Sequence, residues 1–374
     1  MKYAHLIMVT DNNNNKFYTM RQTDDSFFSV EFGRVGQSPQ QTKYPISKWD
    51  SIKNSKLRKG YVDVTELQSE EIVSDTLLTG NTKIDEMLTY LLSASKVAYA
   101  STYSISGTSI TVKQITEAQS ILDNITLNQS DLDAMRKLYL RLFTVIPRTM
   151  QDVRTSLPNS ITEALQMHAK EQSNIDNAGV QQAFTSNNQE KLLDKLGVKI
   201  SESDLTTEII EILQGNEKDI KAVFKLEKPE TEASYNQWIE AAKHKKQIVG
   251  WHGTDVSNIL SIMQSSLRVR PTVIAHGSML GNAAYFSEEW KKSRNYTYGT
   301  RAFMFVFRIH VGNELIANKR SLIKTYTAAE LQQNGYDSVF APAGVDTGWF
   351  KLRYSERTVY NSEQLTPAYL IEVK

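Results

Sequence analysis

The sequence contains no cysteine, few prolines and no apolar run long enough to cross a bilayer. Without cysteine there is no disulfide framework, no thiolate zinc site and no cysteine nucleophile. The first residues, MKYAHLIMVTDNN, lack the long apolar segment of a secretory signal, because Thr10 and Asp11 interrupt it at once. An intracellular protein is expected, without membrane attachment: in the cytoplasm or nucleoid if prokaryotic, in the nucleus if eukaryotic. Several common catalytic signatures are also missing. There is no GxGxxG after a strand, no Walker loop, no HExxH and no GxSxG, so familiar nucleotide and hydrolase sites do not explain the chain.

What is present fits a soluble chain of two or three globular units: 374 residues, 40% apolar and 9% aromatic. The net charge of +1 hides an uneven distribution. Between Gly33 and Val62 stand Arg34, Lys43, Lys48, Lys53, Lys56, Arg58 and Lys59 against Asp50 alone. Such a segment attracts polyanions, although from charge alone a solvated lysine-rich face is the better account.

Three segments differ in period. Residues 1 to about 70 alternate apolar and polar positions in short runs, KFYTM and SFFSVEFGRVG among them, with DNNNN as a turn. This predicts a small antiparallel sheet, crossed by one helix over SKWDSIKNSKLRKG with Trp49, Ile52 and Leu57 inward. From about Asp75 to Gln214 the spacing is helical: Ile84, Met87, Leu88, Leu91 and Leu92, then Ile115, Ala118, Ile121, Leu122 and Ile125. The clearest stripe runs from Leu132 to Ile146, opened by Ser130-Asp131 and stopped by Pro147, and a further helix is expected from Thr206 to Gln214 with Ile209, Ile210 and Leu213. An all-helical bundle follows. After Gly215 strands return in QIVGW, RAFMFVFRIHV, YSERTVY and AYLIEVK, giving an α+β unit. No internal repeat or low-complexity linker separates the three.

The last unit carries an ordered set of residues: Trp-His-Gly-Thr at 251–254 after a strand, Ala-Tyr-Phe-Ser at 284–287, Lys-Ser-Arg-Asn-Tyr at 292–296 and Ser-Glu-Arg-Thr-Val-Tyr at 355–360. Singly, each is an ordinary structural feature. In this order and spacing the set resembles the His-Tyr-Glu transferase fold of the poly(ADP-ribose) polymerase family. VFKLEKPE looks like the start of that family's catalytic domain, KQITEAQSIL with LRLFTVIP is similar to its helical regulatory domain, and EFGRVG is similar to its WGR domain.

The resemblance implies a multidomain α+β protein: a WGR-like sheet with a helix over residues 1–72, an all-helical regulatory bundle over 73–214 and an ADP-ribosyltransferase domain over 215–374. It implies NAD⁺ as substrate and no metal. Glu356, His252 and Tyr285 are the implied catalytic residues, with His252, Gly253, Arg268, Tyr285, Ser293 and Tyr296 around NAD⁺. Tyr285 and Tyr296 would sandwich the cationic nicotinamide ring. The Gly253 backbone would give its carboxamide both a donor and an acceptor, the Ser293 hydroxyl would bond the carboxamide oxygen, His252 the adenosine ribose, and Arg268 the adenine side. Glu356 would hold the ribose 2′-hydroxyl and stabilise the oxocarbenium-like transition state. Lys292 and Met279 would border the acceptor channel. Phe32, Arg34 and Lys43 would contact nucleic acid.

The sequence departs from the family in Phe32, which replaces tryptophan and lacks its N–H, in Ala283, which replaces glycine, and in a shorter stretch between RIHVG and YSERTVY. The leading expectation is a free monomer switched on by damaged or broken DNA that modifies acceptor proteins, itself included. The alternatives are a DNA-independent mono-ADP-ribosyltransferase acting on a protein or nucleic-acid end, and a catalytically dead scaffold, which the presence of His252, Tyr285 and Glu356 disfavours.

Overall fold

Alternating apolar and polar residues form strands in the first part of the chain, as their period requires. The computed structural model describes residues 1–67, 79–103, 110–185, 192–205, 207–213, 215, 217–269, 279–298, 300–318, 326–346 and 351–374. Strands β1 (Tyr3–Thr10), β2 (Asn14–Gln22), β3 (Phe27–Arg34), β4 (Gln40–Pro45) and β5 (Val62–Asp63) make one sheet in the order β4-β3-β2-β1-β5. Every pairing in it is antiparallel. Asn13 takes a positive φ of 62° in the turn between β1 and β2, a conformation asparagine tolerates better than most residues. Ala4, Leu6, Tyr18, Met20, Phe28 and Val30 form the buried face. Trp49 of α1 (Trp49–Arg58) packs edge-on against Phe28 at 5.0 Å. Leu57, expected inward, is exposed on that helix.

Four helices follow: α2 (Thr82–Thr102), α3 (Val112–Leu127), α4 (Leu132–Val145) and α5 (Ile161–Thr185). Helix α3 opens with a capping box between Thr111 and Gln114. Helix α4 opens on Asp131, whose carboxylate accepts from the Ala134 N–H at 3.0 Å, and ends two residues before Pro147. Its stripe is fully buried at Met135, Tyr139, Leu142, Phe143 and Ile146.

Contacts divide the chain into two compact units, Met1–Ser74 with Lys96–Asn187, and Asp75–Ser95 with Asn188–Lys374. The sheet and helices α3–α5 therefore share one unit, and α2 is divided between the two. These limits differ from the expected segments 1–72, 73–214 and 215–374, whose boundary residues 72, 73 and 214 lie outside the described residues. In the first unit the side-chain amide of Asn15 donates to the Arg148 carbonyl at 2.9 Å. The Arg148 guanidinium is itself buried, ion-paired with Glu171 of α5 and lying 4.4 Å over the Phe143 ring.

The second unit continues with α6 (Leu192–Leu196), β6 (Lys199–Glu202), α7 (Thr207–Leu213), β7 (Ile220–Glu227), α8 (Pro229–Ala241), β8 (Gln247–Gly253), α9 (Ile259–Ser265), β9 (Ala284–Phe286) and α10 (Trp290–Arg294). Then come β10 (Ala302–His310), β11 (Glu314–Ile316), α11 (Ala328–Gln333), β12 (Ser338–Ala341), β13 (Glu356–Val359) and β14 (Leu365–Val373). In α7, Ile209 and Leu213 are buried but Ile210 is exposed; Thr206 and Gln214, its expected ends, lie outside the described residues. One sheet runs β6-β7-β14-β10-β8 and a second β11-β12-β13-β9. Strand β10 lies between β14 and β8, and its residues Phe303 to Phe307 are all buried, which explains an apolar run without alternation. The first half of α2 is fixed to this unit. The Tyr90 hydroxyl accepts from the Arg301 backbone N–H at 3.1 Å, and Lys83 donates to Glu202 at 2.6 Å. Among the described residues no helix is long and apolar enough to cross a membrane.

Candidate active site

The two sheets of the second unit meet at one bridge. The Trp251 N–H donates to the Ser287 carbonyl at 2.8 Å, and the Ser287 N–H to the Trp251 carbonyl at 3.2 Å. Every expected catalytic side chain sits beside this joint. His252 and Gly253 end β8, Tyr285 is the centre of β9, Lys292 and Ser293 lie on α10, and Glu356 begins β13. The Ser287 hydroxyl donates to the Ser355 carbonyl at 3.0 Å, tying the turn after Tyr285 to the residue before Glu356.

His252 Nδ1 lies 3.1 Å from the Tyr285 carbonyl oxygen. A carbonyl only accepts, so Nδ1 carries the proton and the neutral ring presents Nε2 as an acceptor. Burial pushes the imidazole below its usual range, with the Tyr285 bond acting the other way, and Phe286 and Phe307 flank it at 5.9 and 6.3 Å. Neutral His252 is suited to accept a ribose hydroxyl.

Tyr285 is held at its hydroxyl, which donates to the Gly281 carbonyl at 2.8 Å and accepts from the Leu280 N–H at 2.9 Å. The loop it pins is gripped again by Tyr360, whose hydroxyl donates to the Leu280 carbonyl. Met279 packs with Tyr285 on the same cluster. Gly253 is demanded by packing: a Cβ there would lie 1.8 Å from the Ser293 carbonyl oxygen. Ser293 is buried and its hydroxyl donates to the Trp251 carbonyl at 2.9 Å, so its one proton is engaged there rather than free for the carboxamide oxygen it is expected to bond, and its lone pairs remain as acceptors. Tyr296 is 53% exposed at the rim.

Glu356 is buried, with one carboxylate oxygen ion-paired to Lys292. Its Oε2 is buried with no hydrogen-bond partner among the described residues. A buried carboxylate oxygen without a donor is costly, and a ribose hydroxyl is the kind of group that would satisfy it. Burial lowers the Lys292 ammonium to about 8, against the charge of Glu289, which raises it.

Arg268 is exposed, two residues beyond Ser266, which ends α9 with a φ of 60°. Phe32, Arg34 and Lys43 belong to the first unit. Phe32 is half-buried, 5.7 Å from Tyr18, and Lys43 is exposed, 4.4 Å over Phe27. Arg34 turns inward to the carbonyls of Met150, Gln151 and Asn13. Sequence reasoning missed the Lys292–Glu356 pair and the joint at Ser287. Neither has a local signal, since each joins residues far apart in the chain.

Comparison with known proteins agrees with this geometry. Residues 207–374 match the poly(ADP-ribose) polymerase catalytic domain and residues 3–68 the WGR domain. The chain is 32% identical to the putative poly(ADP-ribose) polymerase-like 100L of invertebrate iridescent virus 6, over 47% of its own length and 97% of that protein. It is 35% identical to the uncharacterized protein 101L of the same virus, over 46% of this chain and 75% of that one. With poly(ADP-ribose) polymerase 2 of Homo sapiens the identity is 28%, over 35% of this chain and 27% of that protein. The fold and the matched catalytic domain define an NAD⁺ ADP-ribosyltransferase. The chain belongs to the poly(ADP-ribose) polymerase family.

Proposed function

We propose that the enzyme is activated by broken DNA and transfers ADP-ribose from NAD⁺ to protein side chains, its own included. The observation that carries the catalytic part is the unpartnered Glu356 Oε2 in the same cluster as His252 and Tyr285. With NAD⁺ bound, Glu356 accepts from the ribose 2′-hydroxyl and His252 from the adenosine ribose, while Tyr285 and Tyr296 stack on nicotinamide. The C1′–N bond breaks, its electron pair leaves with nicotinamide, and the cation there is neutralised. Positive charge develops on the ribose, where the Glu356 carboxylate stabilises it most in the transition state. The acceptor atom then bonds C1′, and any proton it carries passes to water. Gly253, Ser293 and Arg268 complete NAD⁺ binding.

Activation rests on the WGR match and on the basic residues of its sheet and helix. In this reading residues 1–72 meet the DNA through Phe32, Arg34 and Lys43, residues 73–214 restrain residues 215–374, and the enzyme works inside a cell as a monomer when free. A second reading has one observation in its favour. Arg34 is turned inward on backbone carbonyls, which takes it from DNA and favours a DNA-independent mono-ADP-ribosyltransferase.

The test is nicotinamide release and label transfer from NAD⁺, with and without a 5′-phosphorylated duplex, beside Glu356→Gln. Strong stimulation by DNA, with the variant slowed about 10²–10³-fold, supports the first reading. Equal transfer without DNA supports the second, and a wild-type rate in the variant removes Glu356 from the chemistry.

A further inference from the structure

The residue after Glu356 faces the other side of the sheet, because side chains alternate along a strand. Arg357 is buried there, its side chain 10% exposed, and its guanidinium crosses the width of the sheet. Nε donates to Glu314 of β11 at 2.6 Å, the planar group lies 4.0 Å over Phe340 of β12, and Nη1 donates to Glu288, two residues past β9. Lys246 pairs with the second oxygen of Glu314. One side chain therefore ties β13 to β11, to β12 and to the turn that leads from Tyr285 to Lys292.

An ion network around a buried guanidinium adds little net stability compared with apolar packing, but it fixes geometry, since a guanidinium fork donates to carboxylates in few orientations. The elements it fixes are those that bear Glu356 and its partner Lys292. The Ser287 bonds described above join the same turn to Trp251 and Ser355, so the backbone before and after Glu356 is anchored to one point.

We infer that Arg357 is a positioning residue for the transferase reaction: through Glu288 and Glu314 it sets where the Glu356 carboxylate stands relative to Lys292 and the ribose. This rests on the reading of Glu356 given above. A misplacement of about 1 Å at a reacting group can cost about 10²-fold, and a partly slackened strand costs less.

The test is steady-state nicotinamide release by the full chain as wild type, Arg357→Met, Glu288→Ala, Glu356→Gln and the Arg357→Met/Glu356→Gln double variant. Arg357→Met lowers kcat about 30-fold with KM for NAD⁺ within about twofold, the pattern of a lost transition-state interaction. In the Glu356→Gln background the same change has no further effect, because its action runs through that carboxylate. Glu288→Ala, at a side chain 43% exposed, leaves folding intact and lowers kcat about fivefold, so the inference stays testable if Arg357→Met does not fold.

Retention of kcat within twofold in the folded variants overturns the inference. So does a loss carried by KM, or one that persists undiminished beside Gln at 356. Full turnover by Glu356→Gln overturns the reading of Glu356 and this inference with it, whereas an inactive Glu356→Gln beside an active Arg357→Met overturns the inference alone.

Discussion

Arg34 and Met150 are joined by two hydrogen bonds, from the arginine Nε at 3.1 Å and Nη2 at 2.9 Å to one carbonyl oxygen. The same guanidinium reaches the carbonyls of Gln151 and Asn13, at 2.8 and 3.1 Å. It thus clamps the end of β3 to the segment that follows α4, within one unit. Hydrogen bonds from a charged donor contribute about 1.5–3 kcal/mol each at most, and two of these share one acceptor. Arg34→Met is expected to cost the first unit about 2–3 kcal/mol in urea denaturation, and Arg34→Lys to recover little, because an ammonium has no fork. A loss below about 0.5 kcal/mol, the ordinary range for a surface substitution, would show that the clamp is dispensable.

Gly253 is a steric requirement as well as a proposed NAD⁺-binding residue. With a Cβ predicted 1.8 Å from the Ser293 carbonyl oxygen, Gly253→Ala must push α10 away from β8 and carry Lys292 and Ser293 with it. Such overpacking typically costs about 1–3 kcal/mol. The expected result is a protein that still folds, with kcat/KM for nicotinamide release down at least about 100-fold. Near-normal activity would mean that α10 yields without disturbing the site.

How much of this was legible beforehand follows from where each signal lies. The alternation in KFYTM and SFFSVEFGRVG, the DNNNN turn, the Asp131 cap and the Pro147 stop are local, and they placed β1–β3 and α4 closely. The set around His252, Tyr285 and Glu356 was legible as an ordered series of short motifs. The Lys292–Glu356 pair, the Arg357 network and the inward turn of Arg34 were not, because each joins residues far apart in the chain. Periodicity also identified Ile84, Met87, Leu88 and Leu91 as a buried stripe, but a stripe does not say which surface covers it. Here it belongs with the transferase strands, and helices α3–α5 belong with the N-terminal sheet.

His5 gives the first unit an acid-sensitive point. Burial lowers its imidazole to about 4, Asp63 acting in the opposite sense, and Nδ1 lies 2.8 Å from the Thr19 hydroxyl. The folded value is below the unfolded one of about 6.5, so between those values the unfolded chain binds more protons. Stability falls as pH drops through that window, and the loss is complete below the folded value. His5→Gln should show a shallower fall in denaturation midpoint between pH 7 and 4.5 than wild type. Parallel curves would mean that His5 is protonated as readily in the folded protein as in the unfolded chain.

Lys292 places a second titration beside the Glu356 carboxylate, on the alkaline side. Its folded value of about 8 is below the ordinary lysine value of 10.5, so between the two the unfolded chain holds the extra proton. The burial penalty is therefore complete below about 8 and is relieved as pH rises from 8 towards 10.5. Activity runs the other way. Below 8 the ammonium pairs with Glu356 and fixes it, and above 8 that partner is neutral. The wild-type kcat/KM for nicotinamide release should fall as pH rises through about 8. Lys292→Met should be about 10-fold slower at pH 7, the scale of a lost interaction of about 1.4 kcal/mol, and nearly flat across the same range. A fall near pH 8 that persists in Lys292→Met would assign the titration to another group, and a variant as fast as wild type at pH 7 would show that Glu356 needs no cation to hold it.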